Sequence, residues 1–306
     1  RLPREAHARL RPIPQAPVTT ARLWYEGARP KTLGAAVSPV LVGTAAGSLA
    51  GATNWTRAGA ALVVAVALQV GVNYANDYSD GVRGTDANRR GPVRLTATGL
   101  ATPHAVRTAA ACAFAVAAIV GGVLSVVVNP WLLLLGVAAI GAAVTYTGGP
   151  KPYGYIGLGE VMVLVFFGFV ATVGSAYVQH ERIPAAAWFG ALAVGLPACG
   201  ILLANNIRDA ESDRLAGKRT IAVRVGVAPA RALYAGCLAG ALVAVAVAAA
   251  FEPYALLALF AAPLAVRPVR NVRTRSDPPS LIAALVGTVR FQLALAVLLA
   301  FGFWIS

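Results

Sequence analysis

From residue 33 to the C-terminus, apolar runs recur so closely that no polar interval of domain size separates them. They lie at 33–50, 58–78, 109–128, 131–146, 161–178, 185–204, 233–251, 254–266 and 281–305. A helix of about 20 apolar residues crosses the hydrocarbon core of a bilayer, so the runs predict an all-α integral membrane protein with nine transmembrane helices. The fourth and eighth runs are short, and the ninth carries Arg290. Composition agrees, with 58% of residues hydrophobic and 12% charged, about half the charged share of a soluble domain. Residues 29–306 are expected to form one polytopic domain. Residues 1–28, basic and proline-rich without the apolar core of a signal peptide, read as a mobile cytoplasmic arm.

The net charge of +14 raises nucleic acid as a partner, but the placement of the charges answers it. With nine crossings, 24 of the 26 Lys and Arg fall on one side and only Arg57 and Arg182 on the other. That is the positive-inside pattern of a multi-pass protein of the cell membrane, with the N-terminus and the basic loops cytoplasmic and Ser306 outside. The excess then serves topology and attraction to anionic lipid headgroups, not nucleic-acid binding. Cys112, Cys199 and Cys237 sit in separate runs without metal-ligand spacing and read as packing residues. Gly43 with Gly47, and Gly236 with Gly240, have the small-residue spacing that lets membrane helices approach closely.

Chemistry concentrates where two of the runs end. Between 58 and 72 only Gln69 is strongly polar, and then Asn73, Asn76, Asp77, Asp80 and Asp86 arrive within fourteen residues. If the helix continues, Asn73, Asp77 and Asp80, at i, i+4 and i+7, share a face. The run at 185–204 ends in the same way, with Asn205, Asp209 and Asp213 at i, i+4 and i+8. Counting Glu160 and Glu211, seven of the twelve acidic residues gather in these stretches and the segment 146–160. That third segment is rich in Gly and Pro and carries Tyr146, Lys151, Tyr153 and Tyr155; non-helical backbone at a membrane edge is tolerated where it lines a cavity.

Carboxylates so close would repel one another unless a positive ion lay between them. Hard oxygen ligands suit magnesium, which is commonly held by one or two carboxylates plus substrate phosphates. Beside them stand Arg83, Arg89, Arg94, Arg208, Lys218 and Arg219, suited to the rest of a diphosphate. A membrane enzyme with such a site needs a substrate with a diphosphate head and a long apolar tail, and polyprenyl diphosphate fits. Each part also has a plainer reading. Juxtamembrane aspartates are often only solvated, Arg94 and Arg290 suit orientation or headgroup contact, and the tyrosines suit an interfacial belt as well as a cavity wall. His7, His104 and His180 have no partners in the pattern. Two clusters of matched helical spacing are harder to explain as solvation. A cation transporter is the competing class, but it would hold its acids near the bilayer midplane, whereas these gather at one face beside basic residues.

These residues resemble the UbiA-type membrane prenyltransferases, and within them the branch acting on 1,4-dihydroxy-2-naphthoate in menaquinone biosynthesis, over nearly the whole chain after residue 28. Arg29-Pro-x-Thr-Leu33 with Ser38-Pro-Val-Leu-Val-Gly43 is similar to the family's opening helix. Asn76-Asp-Tyr-x-Asp80 with Gly84-x-Asp86 is similar to its first aspartate motif, and Asn205-Asn-x-Arg-Asp209, Asp213-Arg and Gly217-Lys-x-Thr220 to its second. Asp86 stands six residues after Asp80, as in the naphthoate branch; the 4-hydroxybenzoate enzymes usually place that acid four residues after, where this chain has Gly84.

The resemblance implies a nine-helix bundle around a central cavity open to the cytoplasmic side. It implies two Mg2+ ions held by Asn73, Asp77, Asp80, Asp86, Asn205, Asp209 and Asp213, with Asp77, Asp80, Asp209, Asp213 and Lys218 catalytic. Arg83, Arg94, Arg208 and Lys218 would bind the diphosphate. Metal-assisted departure of diphosphate would leave an allylic cation, which the naphthoate ring attacks with loss of its carboxylate. Lys151 would hold that carboxylate, with Tyr146 and Tyr153 beside the acceptor. A different aromatic acceptor, or a porphyrin, is the alternative within the family.

Overall fold

The computed structural model describes residues 20–85 and 94–306, and its regular elements there are all helical. Asp86, Arg89 and His7 lie outside the described residues. Helix α1 (Thr20–Gly27) leads through a 3-10 turn opened by Pro30 into α2 (Gly34–Ser48). Asn54 caps α3 (Trp55–Val82) by accepting from Arg57 N, and Thr102 caps α4 (Pro103–Val128) by accepting from Ala105 N. After α5 (Leu132–Thr145) the Gly/Pro-rich segment makes a 3-10 turn at Tyr153–Ile156. Helix α6 (Gly159–Val163) then widens into a π-helical stretch, Leu164–Val170, and continues as α7 (Ala171–His180). Helix α8 (Ala185–Leu215) is the longest; it is followed by the short α9 (Ile221–Val225), α10 (Val227–Ala248), a 3-10 stretch Pro253–Ala261, α11 (Pro263–Thr274) and α12 (Pro278–Ile305).

Six helical stretches are long and apolar enough to cross a membrane: α3, α4, α6 to α7 taken together, α8, α10 and α12. A seventh is added if Pro253–Ala261 and α11 count as one span bent by 47°. The bend falls where Pro263 restarts the helix, as a proline lacking its N–H and crowding the preceding turn should cause. Two further apolar helices, α2 and α5, are shorter.

Helix α8 is the axis of the packing, against α2, α10, α12 and the π-helical stretch. Its neighbours reach it through small residues: a Cβ added to Gly195 would come 2.7 Å from Gly168 Cα. Gly43 and Gly47 serve the contact between α2 and α7, where a Cβ at Gly43 would collide with the Thr172 carbonyl and one at Gly47 would come 2.7 Å from that of Ala176. Of the similar pair in α10, Gly240 lies against α8, where a Cβ would come 3.1 Å from Leu196 Cδ1, while one at Gly236 would meet nothing within 4 Å. Cys199 and Cys237 are buried as expected of packing residues, while Cys112 is exposed on α4.

A second, smaller cluster joins Tyr74, Leu95, Val106 and Ala110, with Leu23 and Trp24 against it. The Trp24 ring meets Tyr74 edge-on at 5.7 Å, and the Tyr74 hydroxyl donates to Trp24 O at 2.7 Å. Residues 20–27, expected within a mobile arm, are therefore a helix pinned to α3.

Candidate active site

Helices α3 and α8 both outlast their apolar runs, which ended at 78 and 204 in the sequence, and so carry their polar residues as helical turns. The two polar ends meet. Lys218, in the turn after α8, places Nζ 3.0 Å from Asp80 Oδ1. Tyr155, from the 3-10 turn, donates its hydroxyl to the same oxygen at 2.6 Å, and Arg94 Nη2 stands 3.7 Å from Oδ2. Asp80 is 3% exposed, so three donors from three segments neutralise one buried carboxylate. Burial, followed by the adjacent Asp80 charge, pushes the Tyr155 phenol up to about 12 and keeps it a neutral donor.

Around this centre is a polar pocket of about 180 Å³. From α3 it is lined by Gln69, Asn73, Asn76 and Asp80, and from α8 by Asn205, Asn206, Asp209 and Asp213. Arg29, Arg94, Tyr146, Thr147, Tyr155, Lys218 and Thr220 complete it. Through Val72, Tyr146, Val163 and Phe167 it adjoins an apolar cavity of about 340 Å³ between α2 to α7. Tyr146 and Tyr153 stand at that junction with their rings edge-on at 5.4 Å.

The remaining residues expected in the site are distributed unevenly. Asp77 is buried with both oxygens turned away from the pocket, accepting from Leu95 N and Thr96 N at 2.8 Å each. Asn73 is committed locally, donating to Ala28 O and accepting from Gln69. Arg208 forks onto its neighbour Asp209, with two bonds of 2.7 Å. Arg83 is exposed; it donates to Thr147 O at 2.7 Å and to Gly149 O, stapling the Gly/Pro segment down, and lies 5.5 Å from the Tyr155 ring centre. Lys151 is exposed and lines neither cavity.

Sequence reasoning quoted Asn76 and Asn206 in the motifs without giving them a role, left Tyr155 between an interfacial belt and a cavity wall, and passed over Thr147. Thr147 donates to Asn76 Oδ1 at 2.8 Å, and Asn206 donates to Glu160 Oε1 at 2.8 Å, so both amides are oriented by fixed partners. The signal for Asn76 lay in its i, i+4 relation to Asp80. The same spacing relates Asn73 to Asp77, a pair displaced by three residues and therefore about 60° round the helix.

Asn76, Asp80, Asn205, Asp209 and Asp213, which line the pocket from the two helices, offer carboxylate and amide oxygens, the set that magnesium prefers. No three Asp, Glu, His or Cys among the described residues stand close enough to hold a metal ion by themselves. The two halves therefore suit a magnesium ion that takes part of its coordination from substrate phosphate oxygens.

The profile of the UbiA prenyltransferase family matches residues 36–295. The 1,4-dihydroxy-2-naphthoate octaprenyltransferase of Mycobacterium tuberculosis is 48% identical over 91% of this chain and 97% of that protein. The protein of the same name in Escherichia coli is 38% identical over 94% and 97%. Among solved structures, a UbiA homolog from Archaeoglobus fulgidus bound to GPP and Mg2+ superposes with a TM-score of 0.62 at 14% identity, covering 90% of this chain and 99% of that one. A UbiA homolog from Aeropyrum pernix in the apo state gives 0.64 at 16% identity, over 89% and 97%.

Proposed function

This chain belongs to the UbiA prenyltransferase family, and from that premise we propose that it transfers a polyprenyl group from polyprenyl diphosphate to 1,4-dihydroxy-2-naphthoate. The observation that carries this reading is the junction of a cation-rimmed polar pocket with a larger apolar cavity, one for a diphosphate head and one for the isoprenoid chain beyond it. The names of relatives up to 48% identical supply the acceptor. We place the reaction in a single polytopic domain, residues 29–306, of nine spans in the cell membrane. The pocket, the N-terminus and the basic loops face the cytoplasm and Ser306 the outside, following the distribution of Lys and Arg.

Asn76, Asp80, Asn205, Asp209 and Asp213 would hold Mg2+, two ions in number; Asp86, also expected among the ligands, lies outside the described residues. When bound, Mg2+ supplies the Lewis acidity that steadies the charge on the departing diphosphate. Arg94 and Lys218 meet the diphosphate oxygens and the Tyr155 hydroxyl donates to them. Arg208 holds the Asp209 carboxylate in place. The allylic C–O bond breaks with its electron pair leaving on the diphosphate. The faces of Tyr146, Tyr153 and Phe167 shield the resulting cation at the junction, while the apolar walls exclude water from it. The ring carbon bearing the carboxylate attacks, and the carboxylate leaves as carbon dioxide, its C–C bonding pair staying on the ring to restore aromaticity. Lys151 lines neither cavity; the cationic side chains that line the pocket, and could meet the acceptor carboxylate, are Arg29, Arg94 and Lys218.

The test is product formation by the purified protein given 1,4-dihydroxy-2-naphthoate and a polyprenyl diphosphate. A prenylated, decarboxylated product that requires magnesium is expected. Diphosphate release without that product would move the acceptor to another aromatic compound, and the absence of both product and diphosphate release would overturn the transferase reading.

A further inference from the structure

Asp77 is the most deeply buried carboxylate of the site region, at 1% exposure, and does not line the polar pocket. Its two oxygens are taken by main-chain donors, Leu95 N and Thr96 N. Those amides begin a turn with bonds of its own: Thr98 Oγ1 and N both donate to Arg94 O, and Ala101 N donates to Leu95 O. Gly81, one helical turn beyond Asp77, leaves room for the turn to press against α3; a Cβ there would come 2.5 Å from Thr96 Cγ2. The residue that this clasp delivers to the pocket is Arg94, whose guanidinium reaches Asp80 from a backbone fixed at the adjacent residue.

We propose that Asp77 is a positioning residue: it clasps the 94–96 backbone, sets the Arg94 guanidinium at the diphosphate end of the pocket, and does not ligate the metal. The role deepens the reading of this pocket as a metal–diphosphate site and rests on it. Asp77 and Asp80, three residues apart on one helix, thus divide the work, one holding the phosphate-binding cation in place and the other facing the substrate.

The experiment compares Asp77→Asn with Asp80→Asn in the full-length protein in lipid nanodiscs. Mn2+ binding in the presence of inorganic diphosphate is followed by electron paramagnetic resonance, and KM for polyprenyl diphosphate by turnover. Asp77→Asn is expected to keep the Mn2+ midpoint within about twofold while raising KM by about tenfold or more, the scale of one misplaced charge-assisted hydrogen bond. Asp80→Asn is expected to weaken Mn2+ binding by at least about tenfold. In an Arg94→Met background the Asp77→Asn effect on KM should shrink to less than about twofold, because the two residues act in series. Hydrogen exchange at 94–101 should quicken in Asp77→Asn and not in Asp80→Asn.

A Mn2+ midpoint displaced in Asp77→Asn as far as in Asp80→Asn, or a KM effect undiminished without Arg94, overturns the proposal. Should Asp77→Asn fail to fold, Asp77→Glu, with the same charge on a longer stem, carries the same pair of expectations. A wild-type protein that binds Mn2+ and diphosphate but transfers no prenyl group would sink the proposed reaction alone, since the binding and exchange measurements need no turnover.

Discussion

Lys218 Nζ lies 3.0 Å from Asp80 Oδ1, although one follows α8 and the other ends α3. The contact joins the two polar clusters into one site, and it is also sandwiched by Tyr155, whose ring centre is 4.7 Å from the same ammonium. Lys218→Met removes a buried partner from Asp80 and a cation from the diphosphate. A loss of about 10²-fold in kcat/KM for the prenyl donor is expected, the usual consequence of breaking a buried charge pair. Lys218→Arg should recover part of it, and steady-state diphosphate release measures both.

Tyr155→Phe tests the neutral donor. Its phenol, raised to about 12, stays protonated across the working range, so the variant should lose about tenfold in kcat/KM without altering the alkaline side of the pH profile below about pH 10. An alkaline limb that vanishes in Tyr155→Phe would show that the group titrates in this range.

Removal of divalent metal should stop prenyl transfer and leave the fold intact. The ends of α3 and α8 already meet through Lys218 and Asp80 without an ion, so the fold is not expected to depend on the metal as that of a zinc finger does. Thermal unfolding with and without chelator is expected to give the same Tm, with activity returning when Mg2+ is restored.

Ala139 lines the apolar cavity from α5. Ala139→Phe should narrow the space for the isoprenoid chain and raise KM for a long donor by at least about tenfold relative to a two-isoprenoid one. Competition between the two donors reads this directly; equal effects on both would put the chain elsewhere.

The helical class, the multi-pass character and the two aspartate clusters were legible because each rests on period and composition, while of the nine expected spans six helical stretches, or seven with the bent pair, are long and apolar enough among the described residues. What escaped was phase. Asn76 and Asp77 are adjacent in sequence but about 100° apart on a helix, and no spacing rule says which of the two faces a neighbour that has yet to be placed. Lys151 misled in a different way: a lone cation in a Gly/Pro segment invites a role, but the side chain that the 3-10 turn carries inward is Tyr155. The bend before α11 was visible as Pro263, yet its apolar flanks read as one short span. Residues 20–27 lacked any apolar run, and what holds them is the packing of Leu23 and Trp24 on the Tyr74 cluster with the bond from Tyr74 to Trp24 O.

The π-helical stretch Leu164–Val170 fits more residues into each turn than an α-helix does. The chain thus stores a spare residue inside a spanning element, between α6 at the site and α7 at the far side of the cavity. Deleting one residue here would let the stretch tighten to α while both flanking helices keep their registers, whereas the same deletion in α8 would rotate every following contact by about 100°. The wall containing Phe166 and Phe167 is therefore a place where this chain can lose a residue, and with it alter the bore of the cavity, without relearning how to fold.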